Sequence, residues 1–94
     1  MTNQELNDLK NRYVANGAAT PTTQFAERAE NAELWDADGY RWIDFAGGIG
    51  VLNLGHRHPK IVAAVEAQLK KVMHTSAAVI SYAPYVQLCQ KLCE

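Results

Sequence analysis

Between Trp35 and Pro59 the chain reads WDADGYRWIDFAGGIGVLNLGHRHP, and this stretch restricts the fold more than any other. Asp38-Gly39 separates two runs rich in aromatic and β-favouring residues, Leu34-Trp35 and Tyr40 to Phe45. Asp-Gly is a preferred pair where a tight turn needs positive φ, so the pattern predicts a β-hairpin. After Phe45 the composition changes to Ala46-Gly47-Gly48-Ile49-Gly50. Glycines at 47, 48 and 50 remove side chains and open backbone angles closed to other residues, which lets the chain lie close against a ligand or a second chain. His56-Arg57-His58 then leads to Pro59, and a proline loses nothing by its missing N–H at the first position of a helix. A helix is expected to begin there.

Outside this stretch the periodicities are simpler. Gln4 to Ala15 is polar with Leu6, Leu9 and Tyr13 at helical spacing, enough for one narrow apolar stripe. Asn16 to Thr23 is a linker of small and turn residues in which Pro21 blocks helix. From Pro59 to about Val72, residues Ile61, Val62, Val65, Leu69 and Val72 share one helical face. His74 to Ser81 is a non-periodic connector, and Tyr82 to Glu94 reads as a last amphipathic helix that ends without glycine, asparagine or proline.

Composition excludes more than it specifies. A net charge of -1 gives no reason to expect nucleic acid or an anionic membrane as partner. MTNQELNDLKNRY contains no apolar core segment, so it is neither a signal peptide nor a membrane span, and cytoplasmic residence is the default expectation. Cys89 and Cys93 lie four apart on the last helix and face one way. With no further ligands clustered nearby they are expected to be reduced thiols on a half-buried face, neither a metal site nor a disulfide.

Five elements together resemble the N-terminal region of the class III (subgroup II) pyridoxal-phosphate aminotransferases. They are the WDADG turn, IDFAGGIGVLNLGH, the HPKIVAAVEAQLKK helix, the following HTS and the YAPYVQLCQKL helix, spanning about Phe25 to Leu92. The resemblance implies an α+β segment of an α/β fold-type I transferase, with a helix and arm at 1–24, a small-domain β-hairpin and glycine segment at 25–58, and a helical part at 59–94 leading into a large domain. Members of the family are roughly three domain-equivalents long and 94 residues make at most one small domain, so the chain is expected to be an N-terminal fragment that opens on Met1. Such a piece alone is not expected to be active.

The activity implied is transfer of the amino group of 4-aminobutyrate, or a similar ω-amino acid, to 2-oxoglutarate through pyridoxal 5'-phosphate, in a homodimer or larger assembly. The alternatives are another class III reaction, on acetylornithine, ornithine, a diamine or 5-aminovalerate, or a non-catalytic fragment that acts only by association. In the resembling enzymes the residue matching Ile49 forms an apolar wall of the substrate pocket, suited to the methylenes of an ω-amino acid. Ile49 is therefore the expected substrate-binding residue, the alternative being a plain core position. No catalytic, cofactor-binding or metal-binding residue is expected in this chain, because the family places the Schiff-base lysine, the acid facing the pyridine nitrogen and the phosphate cup elsewhere. Lys60, Lys70 and Lys71 read as helical surface charge.

The remaining candidates have structural readings. His56 and His58 are expected to satisfy free backbone groups where the helix starts, and Arg57 to be solvated charge. The GGIG pattern lacks both the Lys-Ser/Thr of a P-loop and the GxGxxG spacing. Trp35, Tyr40 and Trp42 are expected to pack in a core or interface. Ala77 and Ala78 stand where relatives acting on 4-aminobutyrate carry bulkier side chains, which removes possible ligand contacts.

Overall fold

The computed structural model describes residues 1–18 and 20–94; position 19, inside the expected linker, lies outside the described residues. Two units divide the chain, Met1–Pro59 and Lys60–Glu94.

The first unit opens with helix α1, Asn3–Tyr13. Thr2 caps it: the Glu5 amide donates to Thr2 Oγ1 at 3.2 Å, and the Thr2 amide donates to Glu5 Oε2 at 2.8 Å. This reciprocal capping box satisfies two otherwise orphaned N–H groups. It sets the start one residue before the expected Gln4, and Val14, in extended conformation, ends the helix before the expected Ala15. Asn3 ties α1 to the sheet, its amide donating to Asp38 Oδ1 at 3.0 Å while its own Oδ1 accepts from the Phe25 amide at 2.9 Å.

A three-stranded antiparallel sheet follows, in the order β1 (Ala26–Glu30), β2 (Glu33–Asp36), β3 (Arg41–Ile43). The β2–β3 hairpin is the one expected around Asp38-Gly39. Its turn is closed by the Gly39 amide donating to the Asp36 carbonyl at 2.9 Å, and Gly39 takes φ +86° as the pair Asp-Gly requires. β1 was not expected, since Ala26 to Glu30 has no β-branched or aromatic residue. It forms because Glu30 and Glu33 pair across the two-residue turn Asn31-Ala32, with Asn31 at φ 51°. Asparagine tolerates that region better than other non-glycine residues. The sheet therefore carries two hairpins where one was expected.

Asp36 is buried in this unit, 3% exposed. Its carboxylate accepts from the Asp38 and Tyr40 amides at 3.1 and 3.0 Å and from the Trp42 indole Nε1 at 2.8 Å. Burial works against its charge, but the bonds from Trp42, Tyr40 and Asp38 outweigh that and hold its carboxyl below the ordinary aspartate value. Trp42 is thus oriented by a hydrogen bond, and it and Tyr40 are exposed in this chain, so they do not pack in a core formed by these residues, which leaves the interface half of the expectation. Trp35 is half-buried and carries the Arg28 guanidinium 3.5 Å from its ring centroid, a cation–π pair between directly opposed residues of β1 and β2.

In the second unit α2 (Pro59–Leu69, beginning at the last residue of the first) runs as expected from its proline but stops before Val72. The Lys71 and Val72 amides both turn back to the Gln68 carbonyl, and Gln68 Nε2 donates to the Val72 carbonyl at 2.9 Å, closing a turn. The connector folds on Ser76 (φ 54°), with Thr75 Oγ1 donating to the Ile80 carbonyl. Helix α3 spans Ala83–Cys93 with Pro84 in its first turn. Cys89 and Cys93 are free and exposed rather than half-buried, because no described residue covers that face.

Candidate functional site

The glycine segment is a turn of left-handed sense. Gly47, Gly48, Ile49 and Gly50 all take positive φ, at 52°, 63°, 65° and 73°. Amides at Gly50 and Val51 donate to the carbonyls of Ala46 and Gly47, each at 2.9 Å, closing the turn. Left-handed backbone costs a residue with a side chain about 1–2 kcal/mol, which is why glycine fills three of these places. Ile49 is the exception, a β-branched residue at φ 65°, ψ 55° with its side chain 93% exposed. Held strain of this kind clusters at functional sites.

Asp44 anchors the turn. Its Oδ1 accepts from the Ala46 amide at 3.0 Å and the Gly47 amide at 2.9 Å, and its Oδ2 lies 2.6 Å from His56 Nε2. The Gly47 amide above all, then the His56 ring, outweigh partial burial and hold the Asp44 carboxyl below the ordinary aspartate value. Both ends of the Asp44-to-His56 loop are fixed to the β1–β2 turn. The Asp44 amide donates to the Ala32 carbonyl at 2.9 Å, and Asn31 and His56 exchange backbone bonds of 2.9 and 2.7 Å. A loop with closed ends and its own internal bonds is rigid for its length. His56 therefore acts through Asp44, rather than at the start of α2 as expected. Arg57 is exposed at φ 54°.

Gly55 completes the closure at φ +75°. A Cβ there would lie 2.9 Å from both the carbonyl oxygen and Oδ1 of Asn31. Gly55→Ala in the intact protein is expected to weaken this closure by about 2–3 kcal/mol, from left-handed strain plus a backbone clash. Amide hydrogen exchange at Asn31 and His56 would then run roughly a hundredfold faster; unchanged exchange would show that the close approach does not hold the loop.

Asp44 and Asn31 were missed from sequence. The signal was present in Asp44, three residues ahead of a glycine run, the usual place of a carboxylate that folds back onto following amides.

The family model for class-III aminotransferases matches residues 13–94. The chain belongs to the class-III aminotransferases. It is 51% identical over 89 residues to 4-aminobutyrate aminotransferase GabT of Escherichia coli (strain K12), an alignment covering 95% of this chain and 21% of that protein. The 5-aminovalerate aminotransferase DavT of Pseudomonas aeruginosa is 46% identical over 91 residues, again with 21% of its length covered. This class-III chain also superposes on the acetylornithine aminotransferase of Elizabethkingia anophelis with a TM-score of 0.87 and 28% identity, over 98% of this chain and 24% of that one. The α+β segment of a fold-type I transferase expected from the sequence is thereby borne out. The chain spans about a fifth of the length of these relatives.

The residues of this class-III chain do not themselves fit a pyridoxal-phosphate anchor, which needs a lysine amine beside an acid and a phosphate cup. Among the described residues no lysine is buried; Lys60, Lys70 and Lys71 are exposed, and Lys10 Nζ donates to Thr20 Oγ1. The two caged carboxylates are committed to Trp42 and His56. No described grouping of three or more His, Cys, Asp or Glu could hold a metal ion, and no described helix is long and apolar enough to cross a membrane.

Proposed function

We propose that the enzyme carrying this chain moves the amino group of 4-aminobutyrate, or a similar ω-amino acid, to 2-oxoglutarate with pyridoxal 5'-phosphate. The observation that carries this reading is the 51% identity to GabT over nearly the whole chain. Bound elsewhere in the enzyme, the cofactor supplies the electron sink for the transfer. This chain supplies shape. Ile49, presented on the strained turn, is the apolar wall against which the donor's methylenes lie, and an apolar wall gains nothing from a second charged group on the donor.

DavT resembles the chain nearly as well, and 5-aminovalerate is the homologue of 4-aminobutyrate longer by one methylene. An apolar pocket distinguishes one methylene by only about 10–200-fold, so both donors belong to the proposed class. Within this reading 1–24 is an arm, 25–58 the small-domain hairpin and glycine segment, and 59–94 the helical approach to a large domain, in a cytoplasmic homodimer. The test is kcat/KM of the intact, cofactor-loaded enzyme with 4-aminobutyrate, 5-aminovalerate and N-acetylornithine. At least one of the first two is expected to exceed N-acetylornithine by more than about tenfold; the reverse order would move the enzyme to the acetylornithine branch.

A further inference from the structure

We infer that Asp44, locked by His56, is a positioning residue for the amino donor: the pair holds the left-handed turn that aims Ile49 at the substrate. This rests on the proposed reading of Ile49 as a pocket wall and adds what keeps that wall in place.

Ile49 cannot hold its own backbone. Left to local preference, a β-branched residue leaves positive φ, and its glycine neighbours are free to follow in either direction. The backbone bonds that close the turn are joined by three side-chain contacts that oppose that release, all made by one carboxylate: the amides of Ala46 and Gly47, which begin the turn, and the ring of His56, which closes the loop. His56 is itself fixed, since its backbone exchanges two hydrogen bonds with Asn31 on the sheet. Position therefore passes from the β1–β2 turn through His56 and Asp44 to Gly47, and from there to Ile49. Asp44 uses both oxygens on this cage.

A pocket wall that moves changes how well the donor fits, whereas a protein that merely folds less well loses active sites in proportion for every substrate. Asp44→Ala in the holoenzyme is expected to raise KM for 4-aminobutyrate about tenfold and alter its rate ratio to 5-aminovalerate, with kcat kept within about threefold. The deciding measurement is the same substitution made in an Ile49→Gly background. If Asp44 acts through Ile49, Asp44→Ala adds less than about twofold in KM there. An equal rise in both backgrounds overturns the inference while leaving Ile49 in the pocket. A proportional fall in kcat for all donors with KM unchanged also overturns it. If Ile49→Gly alone leaves donor KM unchanged, it is the reading of Ile49 that fails. Should Asp44→Ala not fold, Asp44→Asn decides the matter in the same two backgrounds, since it keeps an acceptor for the two amides and loses the charge facing His56; its expected effect is about threefold in KM.

Discussion

Replacing Ile49 by tyrosine in the intact enzyme is expected to lower kcat/KM for 4-aminobutyrate about a hundredfold, as over-filling an apolar pocket displaces the substrate rather than merely loosening it. Tyrosine meets the same unfavourable φ of 65° as isoleucine, so the backbone term largely cancels and the change reports on the volume beyond Cβ. Ile49→Val, which keeps the branch at Cβ and removes one methylene, is the control and is expected to stay within about threefold. Steady-state kinetics on the three proteins, with circular dichroism to verify folding, reads the result. Unchanged kinetics for the tyrosine variant would take Ile49 out of the substrate pocket.

What could be read from the residues divides by the distance over which each feature is determined. Pro59 marks the start of α2 because its effect is confined to one residue's φ and N–H. Gly39 is equally local. Gly47, Gly48 and Gly50 announce positive φ in the same way, but not that Ile49 shares it, since the hand of the turn depends on Asp44 and, beyond it, on a ring at position 56. The strand Ala26–Glu30 had no propensity to reveal it; its backbone pairs because β2 is already there and Asn31 can turn the chain. The Thr2–Glu5 capping box is a different kind of miss, as the spacing was plain in the sequence. For Tyr40 and Trp42 the residues indicate packing in a core or an interface without saying which, because burial is the property least determined by neighbouring residues: it depends on what covers them.

That dependence has its largest consequence for the 94 residues taken alone, which are expected to show no cooperative unfolding transition and to associate in solution. Among the described residues no hydrophobic side chain is fully buried, and Phe45, Ile49, Met73, Val79 and Leu92 are all more than three-quarters exposed. The chain exposes 8130 Å², against about 5,400 Å² for a compact monomer of its mass. Its division into two units does not close the gap, since two separately compact pieces would expose about 6,500 Å². Cooperative stability is a small remainder after burial offsets roughly 1–2 kcal/mol of backbone entropy per ordered residue, and unburied apolar area contributes nothing to it. The hydrogen-bonded cages of Asp36 and Asp44 fix local geometry but cannot replace a core, because each bond formed replaces one made to water. Exposed apolar faces of this extent find each other when nothing else covers them. Size-exclusion chromatography and a thermal melt of the isolated chain settle the matter. A monomer with a single sharp transition would mean that these residues stabilise themselves by contacts other than apolar burial, and the account of the chain as a surface needing cover would be wrong.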